Sequence, residues 1–237
     1  MTGYTYEQRL SAAERIPGEG QQAVMASLEV FRGIDLKNDI PAPTEVPTTL
    51  KAVLLNMEHG CKPDEITAFL QECPEVQNAD IVLANELDDG TKRSGNRDNA
   101  AAIAKALGMN YAWGLEFIEL NDPDDRKGYE GNAIYSRWPI VRAEAFYVPE
   151  AYNWYYSEQK RIGGRVSILA ELEIGGRRLG VVCVHLENRT ASAEIFSILG
   201  IDLFILTPNS VIFVAFVMIL SLPSSWVKVV LILSCAL

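Results

Sequence analysis

The chain has 237 residues, 49% of them hydrophobic, and a formal net charge of -10. That length bounds it to one large domain, or one domain with an appendage, with ample material for a core. Its acidity repels a polyphosphate backbone, so an extended nucleic-acid surface is not expected and such a partner would need metal ions or a local basic patch.

Residues 1–49 read as a helical leader and a linker. The opening MTGYTYEQRLSAAERIPGEGQ holds acidic residues and no apolar run, which argues against a cleaved secretory signal. GQQAVMASLEVFRG predicts a helix, with Val24, Leu28 and Phe31 at helical spacing and Gly33 as its stop. PAPTEVPTT cannot continue that helix and reads as a proline-rich linker.

Residues 50–194 alternate strand and helix patterns. KAVLLNM and ADIVLANE predict short buried strands. Between them PDEITAFLQEC predicts a helix started by Pro63, with Ile66, Phe69 and Leu70 on one face. NRDNAAAIAKALG predicts a second helix stopped by Gly108. YAWGLEFIEL, NAIYS and VRAEAFYV predict further strands.

RVSILAELEIGGRRLGVVCVHLE carries a hairpin signal, because Gly175 and Gly176 supply the positive backbone angles of a two-residue turn. That turn pairs Leu172 with Leu179, Ala170 with Val181, Ile168 with Cys183 and Val166 with His185 on one face, and Glu173 with Arg178 on the other. His185 then ends its strand beyond an apolar row, either as a buried structural residue or as one delivered to a site at the sheet's edge. The cysteines Cys61, Cys73, Cys183 and Cys235 show no metal-ligand spacing and read as reduced filler.

Three segments end predicted strands with polar groups: LLNMEHG with Asn56, DIVLANELDDG with Glu86, and VVCVHLEN with His185. Strand ends are where a rigid scaffold can hold catalytic side chains. At these segments, together with GYEGNAIYSRWPI, the sequence resembles the endonuclease/exonuclease/phosphatase superfamily of metal-dependent phosphodiesterases, from about Lys51 to Asn188. The family usually has Gln where this chain has Asn85, which leaves the neighbouring carboxylate in place. The resemblance implies an α/β fold, a four-layer αββα sandwich of two mostly antiparallel sheets, here with the second sheet incomplete. It implies that Glu86 binds a divalent cation, Mg²⁺ or Mn²⁺, through hard oxygen ligands. Asn56 would help orient metal and phosphate, and His185 would hydrogen-bond the scissile phosphate or assist proton transfer. The implied reaction is hydrolysis of a phosphodiester or phosphomonoester by a positioned water.

Around these residues other roles stay open. Asn132, Arg137 and Tyr129 read as scaffold or substrate contacts. AYNWYYS is a stacking platform or a loop covering the sheet, and Lys160, Arg161 and Arg165 attract a phosphate or line a solvated face. His59 is expected on an exposed loop.

The family's later GDxN and SDH segments, which position the attacking water and supply an acid/base pair, do not follow His185, so weak or no activity is expected. The tail 195–237 instead carries only Asp202 and Lys228 as charges. Its apolar runs, Ile195 to Leu206 and Val211 to Leu222, are each shorter than the roughly 20 residues that span a bilayer. Three readings compete: a membrane anchor, a buried segment covering the sheet, or sequence from a displaced frame or unspliced intron fused to a truncated enzyme. The abrupt change in composition points to the third. The alternative function is a membrane-attached, non-catalytic protein that uses the same fold for binding. The expected location is cytoplasmic, or membrane-associated through the tail.

Overall fold

A computed structural model describes residues 1–148, 152–185, 211–217 and 231–236. Three short helices open it: α1 (Tyr6–Ala13), α2 (Ile16–Glu19) and α3 (Gln21–Ser27). The first begins at a reciprocal capping box, in which Thr5 accepts from the Gln8 backbone and Gln8 accepts from the Thr5 N–H. After β1 (Ile34–Lys37) come β2 (Thr49–Asn56), α4 (Pro63–Glu72), β3 (Ile81–Asp89) and α5 (Asn99–Leu107). Pro63 sits at the start of α4 and Gly108 closes α5 in the left-handed region, as the sequence predicts, and the Asp98 side chain caps α5 by accepting from the Ala101 N–H. The strands β4 (Asn110–Glu119), β5 (Tyr129–Ser136), β6 (Ile140–Tyr147), β7 (Arg161–Gly163), β8 (Val166–Ile174) and β9 (Arg177–His185) follow, and β10 (Val211–Val217) and β11 (Leu231–Ala236) lie in the apolar tail.

The strands form two sheets, ordered β1-β4-β5-β3-β2-β11 with β7 on β4, and β10-β9-β8-β6. Among the described residues only the β2–β3 and β9–β10 pairs are parallel. One face of the larger sheet, through Val53, Leu55, Val82, Trp113 and Tyr135, packs on helix residues such as Val24, Ile66, Leu70 and Ile103. Its other face, through Leu54, Leu83, Ala112 and Ile134, packs on Ile168, Ala170, Val181 and Cys183 of the smaller sheet. The chain is therefore a mixed α/β sandwich of two mostly antiparallel sheets, and the described residues supply helix, sheet and sheet of the four layers. The hairpin register is the one read from Gly175 and Gly176: Leu172 faces Leu179, Ile168 faces Cys183, and Arg178 lies 3.2 Å from Glu173.

Three local expectations change. The helix expected through Phe31 breaks at Leu28, whose extended backbone (φ -94, ψ 118) separates α3 from a short 3-10 turn. Phe69 is 37% exposed, so α4 packs through Pro63, Ile66 and Leu70 without it. Residues 1–37, expected as a leader, share the main core: β1 pairs with β4, and Val24, Met25 and Phe31 are buried in the helix-side cluster. In the tail, β10 runs parallel to β9 and β11 antiparallel to β2, each as an edge strand. The rest of 195–237, for which a membrane anchor was one of three readings, lies outside the described residues. Among the described residues no helix is long and apolar enough to cross a membrane.

Arg9 of α1 ties the N-terminal segment to the sheet. Its guanidinium is wholly buried, donates to the Glu119 carbonyl at 2.8 Å and the Asp125 carbonyl at 3.1 Å, and lies 3.5 Å from the Asp125 carboxylate. Arg9→Met keeps the bulk and orphans those acceptors, so a loss of about 2–4 kcal/mol is expected in urea unfolding. A detachable leader would show no measurable loss.

Candidate active site

At one end of the two sheets the apolar interior gives way to a polar layer. Alternation along β4 sends Ala112, Gly114 and then Glu116 toward the smaller sheet, where a Cβ on Gly114 would touch Ile168. Glu116 meets His185 there: Glu116 Oε2 and His185 Nδ1 are 2.9 Å apart, and both side chains are 0% exposed. Arg165 places Nη1 3.0 Å from Glu116 Oε1 and 2.9 and 3.2 Å from His185 Nδ1 and Nε2. Burial pushes the Glu116 carboxyl up, but His185 and Arg165 outweigh it and hold the group below the usual carboxylate range. An ionised Glu116 accepts the Nδ1 proton, which leaves Nε2 facing Glu86, whose Oε1 is 3.6 Å away.

Glu86 reaches this layer through a β-bulge. The β3–β5 register shifts between Ala84 and Leu87, and Glu86 takes a left-handed backbone, φ 57, that non-glycine residues adopt at a cost. Its N–H donates to Asn132 Oδ1 at 3.2 Å, and Asn132 Nδ2 donates to the Val166 carbonyl at 3.3 Å. The buried Asn132 thus serves as scaffold. The Glu86 side chain is 18% exposed, so its carboxylate opens toward solvent. Glu58 and His59, directly after β2, also have positive φ, which concentrates backbone strain at this edge.

Asn56 ends β2 in register with Asn85 on β3, one residue before Glu86. Its Oδ1 accepts the Glu58 N–H at 2.9 Å and keeps a second lone pair. Of the three residues singled out in the sequence, Glu86 and His185 come together, and Asn56 lies on the adjacent strand end with its amide committed to the following turn. The carboxylate of Glu86 and the amide oxygen of Asn56 are hard donors, the chemistry that Mg²⁺ or Mn²⁺ prefers.

A second cluster escaped sequence reasoning. His59, expected to be exposed, is partly buried, with Nδ1 3.4 Å from Glu130 Oε2 and 3.8 Å from Asp88 Oδ1. These atoms are close enough to share a metal ion. Arg93, however, grips Asp88 through two nitrogens at 2.7 and 2.8 Å and reaches Glu130 Oε2 at 2.8 Å, where Arg161 also arrives at 3.2 Å. Two guanidinium groups already occupy the acceptor directions, so the donor set fits an ion network better than a metal. Arg161 and Arg165 are therefore packed into carboxylate clusters and do not line a solvated face. Tyr129 is buried with its hydroxyl on the Thr2 carbonyl, and Arg137 pairs with Asp80.

Glu116 carried one available signal: a charged residue inside a ten-residue strand that is otherwise largely apolar. His59 and Glu130 carried none, since their partners lie far away in sequence.

No family model matches the sequence, and no curated protein matches it. Solved structures similar to it include an endonuclease/exonuclease/phosphatase family protein from Leptotrichia buccalis C-1013-b, at 15% identity and TM-score 0.40 over 58% of this chain and 55% of that one. Humanized D. rerio TDP2 is similar at 14% identity and TM-score 0.45, over 72% and 62%. Sphingomyelinase C from Streptomyces griseocarneus is similar at 15% identity and TM-score 0.40, over 61% and 51%. The chain thus spans 51% to 62% of the lengths of these three proteins.

Inside the second cluster, burial and the Glu130 charge push the Glu119 carboxyl up to about 7, against the pull of Arg161 and Arg93. A raised carboxyl keeps its proton longer when folded than when unfolded, so its contribution to stability falls as pH rises from about 4.5 to about 7. Relative to Glu119→Gln, the native protein is expected to lose on the order of 2 kcal/mol between pH 5 and pH 7.5 in urea unfolding. Parallel pH profiles for the two proteins would contradict this assignment.

Proposed function

We propose that the chain is a divalent-metal-dependent phosphoesterase, acting on a phosphodiester or phosphomonoester at the junction of its two sheets. One observation carries the reading: Glu86 and His185, far apart in sequence and on different sheets, meet at 3.6 Å beside a partly open carboxylate. Each ends or interrupts a strand whose motif resembles a metal-dependent phosphodiesterase, and the β3 bulge turns Glu86 out of the apolar core to meet His185.

A bound Mg²⁺ or Mn²⁺ supplies positive charge for the phosphoryl oxygens. Glu86 offers it a carboxylate oxygen, and Asn56 an amide oxygen from the neighbouring strand. Glu116 fixes the imidazole of His185 by accepting from Nδ1, so that Nε2 is presented on the Glu86 side to take up a proton and, once protonated, to donate to a phosphate oxygen. Arg165 adds a cation at the same place. The sequence carries no GDxN or SDH segment, so turnover is expected to be slow.

The test combines metal binding and turnover. Mg²⁺ is expected to raise the melting temperature of the native protein, and Glu86→Ala to abolish that rise. Hydrolysis of bis(p-nitrophenyl) phosphate is expected to be weak, Mg²⁺-dependent, and at least about tenfold lower in Glu86→Ala and His185→Ala. A Mg²⁺ response that survives Glu86→Ala would sink the proposal.

A further inference from the structure

We propose that Trp154, paired with Phe117, is a positioning residue that holds Arg165 against the Glu116–His185 pair; the catalytic consequence rests on the phosphoesterase reading above. The two rings meet edge to face, with centroids 5.3 Å apart and planes at 66°. Each touches two guanidinium groups. Arg161 Cζ lies 4.4 Å from the Phe117 centroid and 4.5 Å from that of Trp154, while Arg165 Cζ lies 5.5 and 5.3 Å from them. All four distances are within cation–π range.

The arrangement solves a problem of like charge. Arg161 and Arg165 are four residues apart and arrive at the same place, yet they serve different partners: Arg161 reaches Glu130 at 3.2 Å, and Arg165 reaches Glu116 at 3.0 Å and His185 at 2.9 Å. The aromatic pair gives each cation an electron-rich surface and directs each to its own carboxylate. Gly163 makes the approach possible, because a Cβ there would lie 2.1 Å from the Glu116 carbonyl, so β7 can lie flush on β4 only with glycine at this position. Arginine has many rotamers, and one that ends at hydrogen-bond distance from an imidazole needs walls to stay there.

Trp154 itself is firmly seated. Asn153 Oδ1 caps its 3-10 turn by accepting from the Tyr155 N–H at 3.1 Å, Ser157 Oγ donates to the Trp154 carbonyl at 2.8 Å, and the Tyr152 ring packs edge-on at 4.9 Å. At 5% exposure it offers no face to an incoming base. Of the two readings of AYNWYYS, the covering loop therefore describes Trp154, and what it covers is the pair of arginines.

The experiment is NMR of the arginine side chains and histidine rings, with turnover measured alongside. The chain has two histidines, so His59→Gln assigns the ring signals of His185 without ambiguity. Trp154→Ala is expected to broaden or lose the slowly exchanging guanidinium signals of Arg165 and to shift the His185 ring signals, leaving those of His59 in place. Mg²⁺-dependent hydrolysis should fall about tenfold in kcat with KM little changed, and Trp154→Phe should restore both the signals and the rate. Tyr156→Ala, at the exposed neighbouring ring, should change neither. Unaltered Arg165 and His185 signals in Trp154→Ala would overturn the proposal, as would equal shifts at both histidines, which would mark a general structural role. If Trp154→Ala does not fold, Trp154→Leu against Trp154→Phe makes the same comparison. Absence of turnover in the native protein would defeat the hydrolase reading and leave the NMR comparison to decide the role of Trp154.

Discussion

The organisation of this end of the protein follows from one buried charge, the carboxylate of Glu116. A carboxylate with no exposed surface is costly unless its oxygens are filled by hydrogen-bond donors, and here Arg165 takes one oxygen and His185 the other. Those partners come from the segment leading into β8 and from the last residue of β9, so satisfying Glu116 fixes how the smaller sheet sits on the larger. Shifting β9 by one residue would turn His185 to the outer face and leave the carboxylate unpaired. The ion triad therefore enforces the same register that the Gly175–Gly176 turn sets from the other end of the hairpin.

That rigidity explains how Glu86 can be held in a strained backbone. A left-handed glutamate inside a strand persists only where its surroundings over-determine it. Here the bulge is flanked by Leu87, which is fully buried, and by Asn132, whose amide oxygen accepts the Glu86 N–H while its nitrogen is bound to β8. The amide of Asn132 thus links the bulge to the smaller sheet, as Glu116 links β4 to it. The site is assembled by polar contacts between the sheets, and the apolar interior below it carries the packing.

Much of the fold was legible in the sequence because its signals are local. Pro63 and Gly108 mark helix ends through their own backbone chemistry, and two adjacent glycines set the hairpin register to the residue. Asn56, Glu86 and His185 were legible as polar groups at the ends of apolar runs. The bulge that aims Glu86 was not, since it depends on pairing with β5, nor was the paired role of Glu116. Arg9 and His59 were hidden for the same reason: each is defined by partners tens of residues away, and their local patterns match those of exposed side chains. The N-terminal helices were misjudged as a leader because a buried arginine looks, in sequence, like a solvated one.

The second ion cluster shows why a dense set of ligand-type side chains differs from a metal site. Asp88, Glu119 and Glu130 face Arg93, Arg161 and His59. With Glu119 protonated and His59 neutral, two carboxylates balance two guanidinium groups; with both charged, three acids balance three bases. Both groups are shifted upward, Glu119 mainly by burial and His59 because Glu130 outweighs its burial, which favours neutral Glu119 beside charged His59, so the cluster is neutral or net positive and leaves no negative charge for a further cation. Glu86 differs in this respect: among the described residues its one basic neighbour within ion-pair distance is His185, at 3.6 Å. Among the described residues the crowded set of acids is neutralised by its own arginines, whereas the Glu86 carboxylate at the open edge has no arginine or lysine within ion-pair distance.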